Sequence, residues 1–246
     1  MACLATKDEM MISPLDTGHK TDLAAFIRNI APAHDVWCEP YFQMGEVFFK
    51  KQPSKKEIIN DKDNNIVNFY LMIRNRWEQL YFLMESTLHC DFFSRMADDI
   101  LKDEKADELY RAWAFWLKYN KVFVAPERWV INDILSAKPA VDTIQKSAIE
   151  MLAGRLANTY ISCRDSLEVI READGENTLF YLNPHTKKEL VLLEPLLKDM
   201  KGHFILHTSE NNLMKRWIDK IGLYTDNDCL AFGVYTNFKR QRLLFE

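Results

Sequence analysis

The chain has 246 residues, 48% hydrophobic and 12% aromatic, with only 7 Gly and 8 Pro, so it can bury a sizeable core and is neither fibrous nor disordered. Its formal charge of −4 excludes nucleic-acid binding through net charge and leaves that task to a local basic face. No run of about 18 apolar residues is present to span a membrane, residues 1–11 lack a signal-peptide layout, and the five scattered cysteines rule against a zinc ribbon and suit a reducing cytoplasm.

Residues 21–30 place Leu23, Phe26, Ile27 and Ile30 on one helical face. Residues 36–42 read as a buried strand, 46–51 as the helix leaving it, 57–59 as a second short strand and 64–84 as a long apolar helix. A strand–helix–strand opening of this kind predicts a parallel sheet. Between about 85 and 140 the texture changes. A charged stretch is followed by Tyr110, Trp113, Phe115, Trp116 and Tyr119 crowded on one helix, and Pro126 and Pro139 bracket a looser segment. This reads as a mostly helical insert, with the aromatic stripe as core in preference to a base-stacking surface.

Strand–helix alternation returns from about 141. Helices are expected at 145–156, 167–173, 187–200 (interrupted at Pro195) and 212–221, and strands at 159–163, 178–182 and 203–207. Two short strands are expected near 229–234 and 242–245. The fold class is therefore α/β, a doubly wound sheet formed by 1–84 and 141–246, with 85–140 as the insert. Such sheets bind ligands at the carboxyl ends of their strands, here just after residues 42, 59, 163, 182 and 207.

Three of those places carry candidate chemistry. In Glu39-Pro40-Tyr41-Phe42-Gln43-Met44-Gly45 a strand enters a tight turn and then a helix, an arrangement that presents backbone N–H groups to a ligand. The next strand ends in Asn60-Asp61, an acid suited to ribose hydroxyls or, equally, to capping the helix that begins at Asn64. Residues 178–182 run directly into Asn183-Pro184-His185-Thr186, which taken alone is a polar turn capping the following helix. His19 has no partner at metal spacing, and no metal site is expected.

The run from Glu39 through Val47-Phe48-Phe49, Ile58-Ile59-Asn60-Asp61 and Val67-Asn68-Phe69 resembles the opening of the Dam-type adenine-specific DNA methyltransferases. Their pattern is Glu-Pro-Phe-x-Gly-Gly-Gly, then Ile-Asn-Asp, then a Val-Asn-Phe helix. Ser13-Pro14-Leu15 before Gly18-His19-Lys20 is similar to their amino-terminal cofactor motif, and Cys163-Arg164-Asp165-Ser166 to the segment whose acid contacts the cofactor's adenine. Residues 178–184 resemble the strand leading into Asp-Pro-Pro-Tyr, and Gly202-His203-Phe204-Ile205-Leu206 fits a later strand. The resemblance implies a Rossmann-like methyltransferase sheet, S-adenosylmethionine as donor, and DNA as partner, with a flipped-out adenine as acceptor. It implies cofactor contacts at Lys20, Glu39, Pro40, Gly45, Asp61 and Asp165, and catalysis by Asn183 and Pro184. Trp116-Leu117-Lys118-Tyr119-Asn120-Lys121 resembles a DNA-reading segment, which makes Lys118, Lys121 and Arg128 candidate DNA contacts, with Lys138 a further basic residue for phosphates.

The sequence departs from the family pattern where ligands are expected. The second Pro of the tetrapeptide is His185 and its aromatic is Thr186, so the extruded base loses its stacking face. Two glycines of the strand-to-helix loop are Gln43 and Met44. If either needs a left-handed backbone, its side chain costs about 1–2 kcal/mol. The amino-terminal motif lacks its aromatic and has His19 for a Gly. Strand cores and the Asn60-Asp61 turn keep the family look. This pattern predicts a catalytically impaired, cytoplasmic member of the family. The alternatives are an active methylase working through Asn183-Pro184, and a non-catalytic DNA-binding or protein-partner module.

Overall fold

The computed structural model describes residues 22–87, 91–121, 146–225, 229 and 233–239. They fall in two compact units, one within Lys20–Lys62 and Asn158–Glu246 and one within Asp63–Ala157. In the first unit six strands are β1 Val36–Glu39, β2 Lys56–Asn60, β3 Thr159–Ser162, β4 Thr178–Leu182, β5 His203–His207 and β6 Val234–Thr236. Its helices are α1 Asp22–Ile30, α2 Glu46–Lys50, α7 Ser166–Ala173, α8 Lys187–Asp199 and α9 Asn211–Trp217, the last continuing into a π-helical turn, Ile218–Gly222. The second unit holds α3 Asn64–Glu85, α4 Asp91–Lys102, α5 Glu108–Lys121 and α6 Lys146–Leu156.

The sheet runs β3-β2-β1-β4-β5-β6. The first five strands are parallel, and β6 pairs antiparallel with β5. Alternation explains how both faces are filled. Cys38, Phe180, Leu182, Phe204 and Leu206 point into the core shared with α7, α8 and α9. Trp37 and Tyr181 point to the other face and stack at 6.4 Å between ring centroids, and Tyr181 stacks in turn on His207 at 6.3 Å. Burial of each such aromatic is worth about 1.5–3 kcal/mol. The Lys51 ammonium lies over the Trp37 ring and pairs with buried Glu57.

Several sequence expectations change at their edges. β1 stops at Glu39 and not at 42, because Pro40 cannot donate to the ladder and its carbonyl accepts side-chain bonds from Asn60 and Ser166. α8 runs without a break through Pro195; Val191, whose carbonyl loses its i+4 partner there, is 46% exposed. Of the strand expected near 229–234 only Val234 lies in one, as the first residue of β6, while Cys229 is helical; 242–245 lies outside the described residues.

In the helical unit, α3 packs against α5 and α6, and α4 against α5. Trp113, Phe115 and Trp116 are buried. The Trp113 indole N–H donates to Thr87 at 2.7 Å, and Phe115 tilts against Phe69 at 5.6 Å. These rings are core, while Tyr110 is half exposed. The Asn68 amide donates to the Glu108 carbonyl at 2.7 Å, joining α3 to the start of α5. The units divide at 62/63 and 157/158, so α3 and α6 group with α4 and α5.

Candidate functional site

The strand order reverses between β1 and β4. The connections from these two strands lead away in opposite directions, and the crevice at their carboxyl ends is where a doubly wound sheet receives its ligand. Residues 40–45 follow β1, Asp61 follows β2, Asp165 lies three residues beyond β3, and Asn183 follows β4 directly. Six of the sequence candidates, with Glu39 as the last residue of β1, are therefore carried to one edge of one sheet.

A hub of buried polar groups fixes that edge. The Asn60 amide donates to the carbonyls of Pro40 and Arg164, both at 3.1 Å, and its oxygen accepts from the Ser162 hydroxyl and the Arg164 N–H. The Ser166 hydroxyl also donates to the Pro40 carbonyl, at 2.9 Å. Glu39 is 1% exposed, and its carboxylate accepts from the Trp37 indole N–H at 2.8 Å.

The loop after β1 is wound tightly. Gly45 has φ 65 and Gln43 has φ 50. A Cβ on Gly45 would stand 2.4 Å from the tip of the Phe42 ring, so that position tolerates only glycine. Gln43 is the more informative of the two. It holds the left-handed conformation for which glycine is favoured, and as a residue with a side chain it carries the cost of about 1–2 kcal/mol. Its backbone N–H donates to Asp61 Oδ2 at 2.9 Å, and its side-chain Nε2 donates to the Asn183 carbonyl at 2.8 Å.

His185 completes this arrangement. Its Nε2 lies 3.4 Å from the same Asp61 Oδ2, and Asp61 is buried. Tyr41 meets the His185 ring edge-on at 6.3 Å. Burial, followed by the negative charges of Glu189 and Asp165, pushes the Tyr41 phenol well above its usual range, so the group stays protonated.

Thr186 caps α8. Its hydroxyl accepts from the Glu189 N–H at 3.2 Å, and the Glu189 carboxylate accepts in return from the N–H groups of Thr186 and His185 at 3.2 and 3.0 Å. This capping box has its usual Thr-x-x-Glu spacing. Glu189 also lies 3.8 Å from Lys62 Nζ, which is 3.3 Å from Asp165. Asp165 itself caps α7, accepting from the N–H groups of Leu167 and Glu168. Desolvation pushes its carboxyl up, but the Lys62 bond and the two backbone N–H groups outweigh it and leave the carboxyl below its ordinary value.

The side chain of Asn183, by contrast, makes no hydrogen bond among the described residues, and both Asn183 and Pro184 are partly exposed. The remaining candidates belong to the helical unit or lie outside the described residues. Lys118, on α5, forms an ion pair with Asp98 of α4. Lys121 ends α5, and its side chain lies outside the described residues, as do Lys20, Arg128 and Lys138. No group of three or more His, Cys, Asp or Glu residues among the described residues is placed to hold a metal ion, and no described helix is long and apolar enough to cross a membrane. Sequence reasoning missed Lys62 and Glu189. The Thr-x-x-Glu spacing would have found Glu189, whereas nothing local marks Lys62.

A mostly parallel sheet with its order reversing beside β1, an acid after β2 and Asn-Pro at the tip of β4 is the Rossmann-like sheet of a methyltransferase. A model of the D12 class N6 adenine-specific DNA methyltransferases matches residues 17–185, and the chain belongs to that family. The family methylates the exocyclic amine of adenine in DNA, with S-adenosylmethionine as donor. The match ends inside the tetrapeptide, at His185. No curated protein matches the chain.

Proposed function

We propose that this chain is a D12-class methyltransferase scaffold with impaired methyl transfer. The observation that carries this reading is the state of Asp61. An acid at the end of the second strand is suited to bind ribose hydroxyls, yet Asp61 is 1% exposed, accepts from Gln43 and faces His185. So arranged, these residues do not fit the nucleoside of S-adenosylmethionine.

The acceptor side is altered too. The exocyclic amine of adenine is a poor nucleophile because its lone pair is delocalised into the ring, and two acceptors for its hydrogens restore density on nitrogen. The Asn183 amide oxygen and the Pro184 carbonyl are of the right type. The aromatic platform at the fourth position, worth roughly 1–3 kcal/mol per stacked base, is replaced by Thr186, whose hydroxyl caps α8.

Methyl incorporation from labelled S-adenosylmethionine into mixed-sequence duplex DNA tests the reading. The expected result is incorporation no greater than that of Asn183→Ala. Robust incorporation that Asn183→Ala abolishes overturns it. That outcome would establish the second reading, an active adenine methylase, which the Asn183 side chain, partly exposed and without a hydrogen bond among the described residues, favours. Salt-dependent DNA binding without incorporation would assign the chain a non-catalytic role on DNA.

A further inference from the structure

Gln43 and His185 stand at two of the positions where the sequence leaves its family pattern, 142 residues apart in the chain, and both converge on one oxygen, Asp61 Oδ2. The third contact closes the figure. Gln43 Nε2 reaches the carbonyl of Asn183, two residues before His185. The loops after β1 and β4 are thereby tied to each other and to the acid after β2, across the crevice where the sheet order reverses. We infer that Gln43, Asp61 and His185 form one internal clasp that excludes a nucleoside from this crevice, with Gln43 and His185 as the residues that decide the exclusion. The inference rests on the reading of an impaired site and gives its cause.

Three physical points support the clasp. Asp61 Oδ2 holds an N–H at 2.9 Å and faces a ring nitrogen at 3.4 Å, so a ribose hydroxyl that approaches this oxygen competes with both. A non-glycine residue at φ 50 persists only where its surroundings over-determine it. Here the Asp61 carboxylate and the Asn183 carbonyl hold Gln43 from two sides, and the turn is closed by the Gly45 N–H on the Phe42 carbonyl at 2.9 Å. Finally, His185 is anchored at its own backbone, where its N–H donates to Glu189 in the capping box, so the ring is delivered toward Asp61 by a fixed helix start.

The Gln43 side chain ties its loop to the Asn183 carbonyl, two residues before the ring that faces Asp61, so loss of that side chain and loss of the His185 ring loosen the same pair of loops and are expected to be coupled. Gln43→Gly and His185→Ala, singly and together, are compared with the unmodified chain by titration calorimetry, with adenosine and with S-adenosylmethionine as probes. His185→Ala keeps the N–H that Glu189 accepts, and thermal unfolding checks that each variant is folded. The unmodified chain is expected to give no binding heat at millimolar adenosine. The double variant is expected to bind both probes at least about tenfold more tightly than either single variant, and Asp61→Asn in that background should remove the gain. Gln43→Ala, which deletes only the arm to Asn183, replaces Gln43→Gly in the series if the latter does not fold. Two results overturn the inference: tight adenosine binding by the unmodified chain, or a folded double variant that binds no better than its parent. Failure of the impaired reading is seen separately, as DNA methylation by the unmodified chain. A chain that binds donor without methylating sinks the clasp and leaves that reading standing.

Discussion

Gln43 balances two opposing contributions in one side chain. Its φ of 50 carries the left-handed cost of about 1–2 kcal/mol, and its bond to the Asn183 carbonyl returns about 0.5–1.5 kcal/mol. Gln43→Ala keeps the backbone cost and loses the bond, so it should destabilise by about 1 kcal/mol. Gln43→Gly loses the same bond but also the cost, so it should be neutral or slightly stabilising. Urea unfolding midpoints at constant slope measure the difference. The order Gly above Ala by about 1 kcal/mol is expected, and the reverse order would refute backbone strain at this turn. The sequence marks Gln43 as a side chain in a glycine's place. It does not reveal that the side chain spans to Asn183, because that contact depends on β1 and β4 being neighbours.

At the level of elements, the start of α8 shows what a local pattern can and cannot carry. Thr186 and Glu189 have the spacing of a capping box and form one, so this much is legible from four residues. Thr186→Ala is expected to cost about 1 kcal/mol, as is Glu189→Ala. The double change should cost less than the sum, because each single change already breaks the reciprocal pair. A denaturation double-mutant cycle checks this, and strict additivity would show that the box is not cooperative. A Thr186→Tyr change, which would restore a stacking ring, is expected to lose the cap at similar cost. β4 and β5 were legible to the residue because both of their faces are buried and their apolar runs are unbroken. β1 was overextended because Tyr41 and Phe42 are apolar and buried; they belong to the turn, where Phe42 packs on Phe48 and Phe49.

Across the whole molecule, burial sets the response to acid. His207 and His34 both sit below the ordinary histidine value, burial being the first cause in each. His207 Nδ1 lies 3.0 Å from the Tyr181 hydroxyl, whose own ionisation burial pushes well up. The phenol therefore keeps its proton beside the imidazole. The unfolded chain takes up protons at these residues near pH 6.5, before the folded chain does. Their contribution is fully present above about pH 6.5 and is lost as pH falls through the lower folded values. Asp165, also depressed, adds a second loss starting near pH 4. Unfolding free energies measured from pH 7.5 to 5 should decline, and His207→Asn should flatten that decline. An unchanged slope would place the sensitivity elsewhere. The grouping of α3 and α6 with α4 and α5 lay beyond the sequence, because an apolar helical face does not state which neighbour will cover it.

The pairing of Lys118 with Asp98 bears on any encounter with a polyanion. An ammonium already neutralised by a carboxylate displaces no sodium from a phosphate backbone until that pair opens. Each such lysine lowers by about one the exponent with which affinity falls as salt rises. For a chain of net charge −4, attraction to duplex DNA must then rest on other cations gathered on one face, and it would fade at ionic strengths that a more basic surface withstands.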